Sequence, residues 1–229
     1  MRIQKYLSQQ KILSRREAER YIKLGLIKLN GHIVREMGTQ IDPAKDKIEV
    51  LRANPGQVSS KITIAVNKPR GIVSSKIKTE GETIFELLPQ FEHLNVVGRL
   101  DKESEGLLLL SNDGLVTQAV TSNKHLVEKE YEVTVREFVK PSMLLKMEDG
   151  LMLEDGPTLK TQTELLDDHK FKIILKEGRR HQIRRMCDVL RLTVVNLKRI
   201  RIGNITLGHL KSGQFRELNK LEVEKLKGQ

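Results

Sequence analysis

Apolar positions near the start of the chain follow the helical period and then change to shorter runs. Ile3, Tyr6 and Leu7 share one helical face, which predicts a first helix. Ser14 and Glu17 have the spacing of a capping box, so we expect a second helix to begin at this point. That helix carries an apolar face and a basic face.

The segment after the second helix has the pattern of a small sheet. Asn30-Gly31 is the strongest short signal of a β-hairpin turn. Three apolar stretches surround it, at residues 26–29, 32–34 and 47–50. We therefore predict a small α+β domain over residues 1–52. Residues 53–61 are rich in turn formers and poor in apolar positions, and we interpret them as a linker.

Residues 62–229 are expected to form a second, larger domain. The pattern predicts strands at residues 62–66, 95–100, 107–110, 131–135 and 171–175. It predicts helices at residues 84–88, 115–121, 141–149 and 181–190. The alternation is too irregular for a doubly wound parallel sheet. We predict an α+β fold with a mixed, mainly antiparallel sheet flanked by helices.

The charge of the chain favours a polyanionic partner. Its 41 Lys and Arg residues exceed 30 Asp and Glu, which gives a formal net charge of +11. Residues 1–61 hold 13 basic and 6 acidic side chains, so most of the excess lies at the front. RNA or DNA is a better candidate than a membrane surface. The basic helix face could also be an ordinary solvated face.

The sequence offers little for membrane, metal or cofactor chemistry. No apolar run approaches membrane-spanning length, and the N-terminus lacks the apolar core of a signal peptide. The single Cys187 excludes an internal disulfide and favours a reducing compartment, so we expect a cytoplasmic protein. The six histidines lack ligand spacing, and no Walker or dinucleotide motif occurs. We expect no metal and no cofactor.

Asp101 lies in a polar loop between two apolar segments, flanked by Arg99 and Lys102. An aspartate in such a loop commonly caps a turn. It could also be a fixed nucleophile, because a reactive carboxylate must be held rigidly and stay ionised. Both interpretations are compatible with the local pattern.

Tyr131 and Arg184 are two further candidates. Alternation over residues 129–135 places Tyr131 on the apolar face of a strand, as a core residue or as the floor of a pocket. Arg184 falls in the first turn of a helix whose other face is apolar, near the positive end of the helix dipole. It could be aimed at a carboxylate, or belong to a solvated basic stripe.

A resemblance to a known family bears on these candidates. Gly98-Arg99-Leu100-Asp101, Gly106 to Leu110 and Asn112-Asp113-Gly114 together resemble the catalytic signature of the RsuA group of pseudouridine synthases, which modify ribosomal RNA. Ser104 and Ser111 stand where threonine is common in that group. The resemblance implies that Asp101 is the catalytic aspartate.

Other segments extend the resemblance. Lys129-Glu130-Tyr131 matches the context of a tyrosine thought to stack on the uracil, and Gln182-Ile183-Arg184 matches an arginine that pairs with the catalytic aspartate. Ser14 to Ala18 and Gly25 to Gly31 resemble the S-four type of RNA-binding domain. His181 is typical of the motif, but no role for it can be derived.

Basic residues of both domains are candidates for contacts with RNA. The full set comprises Arg15, Arg16, Arg20, Lys23, Lys28, Lys68, Arg99, Arg179, Arg180 and Arg185. Lys68, in Asn67-Lys68-Pro69, could instead brace the site. Residues 197–203 resemble the element that lines the family's pocket, and a basic edge strand is the alternative for Lys198 and Arg199.

The resemblance implies a stand-alone enzyme that isomerises uridine in ribosomal RNA to pseudouridine without guide RNA. The oligomeric state is open, and a monomer is the default expectation. Asp101 would attack the anomeric carbon, or remove the neighbouring ring proton to give a glycal. One alternative is a non-catalytic, ribosome-associated RNA-binding protein. Another is a nucleoside glycosidase, although glycosidases commonly use two carboxylates.

Overall fold

The computed structural model describes residues 1–51, 60–122 and 126–228. Its first part contains helices α1 (Ile3–Gln9) and α2 (Arg15–Lys23) and a three-stranded antiparallel sheet. The strands are β1 (Ile27–Leu29), β2 (His32–Ile33) and β3 (Ile48–Val50), in the order β2-β1-β3. The predicted capping box is present, since the Ser14 hydroxyl accepts from the Glu17 N–H and the Glu17 carboxylate accepts from the Ser14 N–H. The predicted hairpin turn has left-handed φ values at Asn30 and Gly31.

A nine-stranded sheet forms the centre of the larger part. In chain order the strands of this part are β4 (Thr63–Lys68), β5 (Asn95–Val97), β6 (Glu105–Ser111), β7 (Lys129–Val135), β8 (Met152–Leu153), β9 (Gly156–Pro157), β10 (Gln162–Asp167), β11 (Lys170–Leu175), β12 (Val194–Ile202), β13 (Ile205–Thr206) and β14 (Phe215–Glu217). The main order is β10-β11-β7-β12-β6-β4-β14, with β5 on β6 and β13 on β12, while β8 and β9 form a separate hairpin. Only β12 and β6 pair in parallel among the described strands. The predicted mixed, mainly antiparallel α+β fold is confirmed.

Helices cover both faces of this sheet. They are α3 (Ile84–Leu87), α4 (Gly114–Thr121), α5 (Pro141–Asp149), α6 (Gln182–Val189) and α7 (Lys220–Lys227). Side chains of α3, α5 and α6 belong to one apolar core, and those of α4 and α7 belong to the core on the opposite face. Helix α6 buries Ile183, Met186 and Cys187, as its apolar spacing predicts.

The structure corrects one interpretation and adds elements that the pattern did not indicate. Strand β12 is central, between β7 and β6, so the edge-strand alternative for Lys198 and Arg199 is wrong. Strand β10 was not predicted, because it is an edge strand whose residues are mostly exposed and lack a clear alternation. Helix α7 was also missed, although Asn219 and Glu222 form a capping box at its start.

The two parts of the chain are in contact. Lys61 pairs with Glu17 of α2 at 2.9 Å and with Asp113, the residue before α4, at 3.3 Å. Gly114 lies so close to Ser14 that an added Cβ would clash with the serine side chain. Most of the predicted linker, residues 53–59, lies outside the described residues. Within the described part, no helix has the length and apolar character needed to cross a bilayer.

Candidate active site

A cavity of about 770 Å³ opens beside the centre of the large sheet. Its size is in the range of small-molecule sites in proteins. Its wall combines the loop between β5 and β6, the inward face of β7, the centre of β12 and the residues before α6. The functional side chains on this wall include Arg99, Asp101, Lys129, Tyr131, Arg180, His181 and Arg199.

The backbone on both sides of Asp101 is firmly held. Leu100 is buried, and its carbonyl accepts a hydrogen bond from the Ser74 hydroxyl at 2.7 Å. The Asp101 carbonyl accepts from the Ser104 N–H at 3.0 Å, and the Lys102 carbonyl accepts from the Gly71 N–H at 2.8 Å. The Asp101 side chain remains 40% exposed. A fixed backbone thus presents this carboxylate to the cavity.

Within the described residues, His181 is the only Lys, Arg or His side chain within 4 Å of the Asp101 carboxylate, with 3.6 Å between its Nε2 and the Asp101 Oδ1. It occupies the position before α6 with a left-handed φ of 52°, which is uncommon for a residue with a side chain. Such backbone conformations are concentrated at functional sites. Sequence reasoning assigned no role to His181, and the proximity of its ring to Asp101 depends on this turn.

Arg184 lies in the first turn of α6, as predicted, but it does not pair directly with Asp101. Its Nη2 donates to the Glu103 carbonyl at 3.1 Å, and no ion pair joins Arg184 to Asp101 in the described residues. The predicted Arg184–Asp101 pair is therefore wrong for this conformation. The reason is helical spacing: residue 184 lies one turn beyond residue 181 on the same face, so it reaches a later part of the loop.

Tyr131 lies on the inward face of β7 and is 9% exposed. Residues 129–135 alternate between buried and half-buried positions, which confirms the predicted strand pattern. The Arg199 guanidinium carbon is 6.0 Å from the centre of the Tyr131 ring, at the outer limit of a cation–π contact. The ring is both a core residue and part of the cavity wall.

Arg199 is a structural residue that sequence reasoning did not assign to the site. It is 1% exposed. Its guanidinium donates to the carbonyls of Leu107 at 2.7 Å, Gly98 at 2.9 Å and Arg99 at 3.5 Å. It therefore ties β12 to the loop that carries Asp101. A signal was present, since strand alternation places residue 199 on the same face as residue 197, whose leucine is buried.

Two lysines near the cavity are also buried. Burial, supplemented by the charge of Arg199, lowers the pKa of Lys129 to about 8. Burial likewise lowers the pKa of Lys68 to about 8. The Lys68 ammonium is fully buried and donates to the carbonyls of Pro69, Ile72 and Lys102. The predicted RNA contact by Lys68 is therefore wrong, because its donors brace the Asp101 loop from within the protein.

Two of the predicted phosphate contacts, Arg179 and Arg185, are engaged by the β8–β9 hairpin. Arg185 forms a two-point ion pair with Asp155, at 2.8 and 3.1 Å. This pair raises the pKa of Arg185 and lowers the pKa of Asp155. Arg179 donates to Gly156 and Pro157 carbonyls and pairs with Glu177. These contacts do not support phosphate binding by either arginine, since protein groups already engage both guanidinium groups. The Nε of Arg185 has no partner, but it is buried.

The remaining predicted RNA contacts lie where a polyanion could reach them. Arg99 and Arg180 are exposed at the cavity. Arg15, Arg16, Arg20 and Lys23 are exposed on α2, while Lys28 is half-buried on β1. Their contact with RNA stays a prediction. Over residues 1–51, 60–122 and 126–228, no three His, Cys, Asp or Glu side chains are grouped so as to hold a metal ion.

Comparison with known proteins gives a consistent result. A family model described as RNA pseudouridylate synthase matches residues 62–188, and one described as S4 domain matches residues 1–48. The chain is 34% identical to ribosomal small subunit pseudouridine synthase A of Haemophilus influenzae over 231 residues, 99% of each chain. It is 33% identical to ribosomal large subunit pseudouridine synthase B of Bacillus subtilis, over 99% of this chain and 95% of that protein. A crystal structure of pseudouridylate synthase matches with a TM-score of 0.72 and 33% identity, covering 99% of both chains.

Proposed function

Because this chain belongs to the RNA pseudouridylate synthase family and is therefore an isomerase, we propose that it converts uridine to pseudouridine in ribosomal RNA with Asp101 as the catalytic carboxylate. The resemblance of the sequence to the RsuA group and to the S-four type of domain is confirmed. The names of the Haemophilus and Bacillus relatives support ribosomal RNA as the substrate. They refer to the small and the large subunit respectively, so both RNAs are candidates.

The observation that carries the assignment is an ionisable carboxylate on a rigid loop, exposed to a cavity whose wall also contains Tyr131. A uridine must leave the base stack before its glycosidic bond can be reached. Stacking on the Tyr131 ring would hold the extruded base beside Asp101. This arrangement supplies a reactive group and a binding surface for the base.

Two routes account for the isomerisation, and each conserves the atoms and electrons of the uridine. In the first, the Asp101 carboxylate bonds to C1′ while the C1′–N1 electrons leave with the uracil. In the second, Asp101 takes the C2′ proton as the same bond breaks, which gives a glycal. The uracil then rotates and its C5 bonds to C1′, which releases Asp101 or returns the C2′ proton. Loss of the C5 proton and protonation of N1 complete the isomer, and Tyr131 assists the former.

Arg184 acts in this scheme as a positioning residue. Its hydrogen bond to the Glu103 carbonyl holds the loop two residues beyond Asp101. Action without guide RNA is part of this proposal, and it is supported by the S4 domain of the chain with its exposed basic helix. A monomer stays a prediction. The basic residues of α2, together with Arg99 and Arg180 at the cavity, bind the phosphate backbone of the RNA.

The test is to incubate the protein with unmodified ribosomal RNA from each subunit and to map pseudouridine. Asp101→Asn removes the charge at constant size, and we expect no detectable product with RNA affinity within about threefold of wild type. Asp188→Asn, on the exposed side of α6, is the matched control and should retain activity. Product from the Asp101→Asn variant would refute the assignment. Binding without product on either RNA would favour the non-catalytic alternative.

A further inference from the structure

Three cations lie buried around the cavity: Lys68, Lys129 and Arg199, which are 0%, 9% and 1% exposed. Strand register brings two of them into one row, since Gly106 pairs with Lys68 on one side and with Arg199 on the other. Burying a charge is costly unless partners compensate it. The partners of each cation therefore indicate what the site is built to hold.

Hydrogen bonding separates Lys129 from the other two. Lys68 and Arg199 each donate to three backbone carbonyls. Lys129 donates to the Val127 carbonyl at 3.2 Å and has no other partner within the described residues. An ammonium group carries three donors. Two donors of this buried lysine are thus unused at the wall of the cavity.

The surrounding charges separate it further. The nearby carboxylates Asp101, Glu103 and Glu105 favour the charged form of Lys68. The charged group that acts on Lys129 is Arg199, which disfavours its ammonium form. Lys129 makes no ion pair within 4 Å in the described part of the chain. Its positive charge has no compensating group, although it lies at the surface of a site for a polyanion.

We propose that Lys129 is a further catalytic residue, whose ammonium group stabilises the negative charge on the uracil ring while that ring is detached from the ribose. This inference rests on the proposed function. When the C1′–N1 bond breaks, its electron pair stays on the base and spreads over N1 and the two carbonyl oxygens. Lys129 lies two residues from Tyr131 on the same face of β7, about 7 Å along the strand. A base stacked on the Tyr131 ring would thus present an edge to the ammonium group.

The location of Lys129 favours the base over a phosphate as its ligand. The phosphates of an extruded nucleotide remain with the RNA backbone at the mouth of the cavity, where Arg99 and Arg180 are exposed. Lys129 is nearly covered and stands beside the floor of the cavity. A cation held in place before the reaction, in a site with little water, stabilises a developing anion without reorganisation.

Single-turnover kinetics on unmodified ribosomal RNA test the proposal. Lys129→Met removes the charge and keeps the length of the side chain. We expect the rate at saturating enzyme to fall at least about 100-fold, the usual cost of losing one stabilising donor. RNA affinity, measured in the Asp101→Asn background, should stay within about threefold. Lys172→Met is the matched control on the neighbouring strand β11, where the lysine pairs with Glu164 outside the cavity, and it should react at the wild-type rate.

A pH profile separates catalysis from packing. The wild-type rate should fall as the pH rises through about 8, where Lys129 loses its proton. Lys129→Arg keeps the charge, so this decline should move to higher pH and part of the rate should return. Within the described residues, the other titratable or charged groups that line the cavity are Glu80, Arg99, Asp101, Lys102, Tyr131, Lys176, Glu177, Arg179, Arg180, His181 and Arg199. None of them is altered in this comparison, so the difference between the two profiles reports on residue 129.

Thermal unfolding tests whether Lys129→Met loses activity because it is less stable. A lysine whose pKa is lowered on folding opposes the native state below that pKa, and this penalty fades as the pH rises from about 8 to its ordinary value. Lys129→Met should therefore have a Tm at pH 7 equal to or above that of wild type. A wild-type rate in Lys129→Met would overturn the proposal. If that unchanged rate came with weaker RNA binding, Lys129 would instead contact a phosphate. Failure of the wild-type protein to form pseudouridine would instead refute the proposed function.

Discussion

The front domain and the cavity use the same residue types in opposite ways. On α2, Arg15, Arg16 and Lys23 are exposed, and their side chains form no hydrogen bond or ion pair with other described side chains. At the cavity, Lys129 and Arg199 are buried at defined positions. Exposed charges act through a field that salt screens beyond about 10 Å, whereas buried charges act strongly over short distances. We therefore expect RNA affinity and the chemical step to depend on different cations.

A third group of cations lies between these extremes. Arg179 and Arg185 are charged and partly exposed, yet the β8–β9 hairpin accepts hydrogen bonds from the guanidinium group of each. Their sequence context, in a run of arginines before α6, is indistinguishable from that of a phosphate-binding cluster. Whether a cation is available to RNA depends on its exposure and on its hydrogen bonds and ion pairs within the protein, in addition to its charge.

Of the cations compared, Arg199 should have the largest effect on stability and on reaction rate when it is replaced. Arg199→Met leaves the buried carbonyl of Leu107 and the partly buried carbonyl of Gly98 without this donor, and loss of a buried hydrogen-bond partner costs about 1–3 kcal/mol. We expect urea unfolding to show a loss of roughly 3 kcal/mol in stability, together with a large fall in the rate of pseudouridine formation. Arg199→Lys should recover only part of the stability, because one ammonium group lacks the fork geometry. Unchanged stability in the Met variant would mean that these hydrogen bonds are dispensable.

Replacing the exposed cations should have an intermediate effect that depends on salt. The triple change Arg15→Gln, Arg16→Gln and Lys23→Gln removes three exposed charges from α2. If each meets one phosphate, the slope of log affinity against log salt should fall by about 2. The single-turnover rate at saturating enzyme should not change. An unaltered salt slope would place the RNA on another surface, and a reduced rate at saturation would break the division between affinity and chemistry.

Replacing Arg185 should have the smallest effect on RNA. Arg185→Gln breaks the pair with Asp155, but we expect RNA affinity to change by less than about twofold and the salt slope to stay within about 0.3 of the wild-type value. The pair also predicts a pH effect. The pKa of Asp155 is lowered in the folded protein, so the ionised Asp155 contributes to the stability of the fold above its ordinary pKa. This contribution is lost as the pH falls through the lowered pKa. A salt slope reduced by a full phosphate contact would show that RNA displaces Asp155.

The local sequence pattern was sufficient to predict most of the secondary structure. The capping box at Ser14, the Asn30-Gly31 turn and the alternation over residues 129–135 all formed as predicted. Helix α5 has the predicted bounds, Pro141–Asp149. These features depend on residues within about one turn or one strand of each other, so local periodicity and capping chemistry determine them.

Motif order, by contrast, was the basis for identifying the family. The segment around Asp101 resembles pseudouridine synthases, the front-domain motifs resemble an RNA-binding domain, and both family models match. The sequence could thus indicate which residues belong to the site. It could not indicate how those residues are joined.

Tertiary structure alone decided the partners of the charged groups. The register of β4, β6 and β12 buried Lys68 and Arg199, and the left-handed turn before α6 put His181, rather than Arg184, beside Asp101. These contacts join residues far apart in the chain, so they depend on strand order and packing. A basic residue has the same local pattern whether it meets solvent, a carbonyl or a carboxylate, and only the fold determines which of these surrounds it.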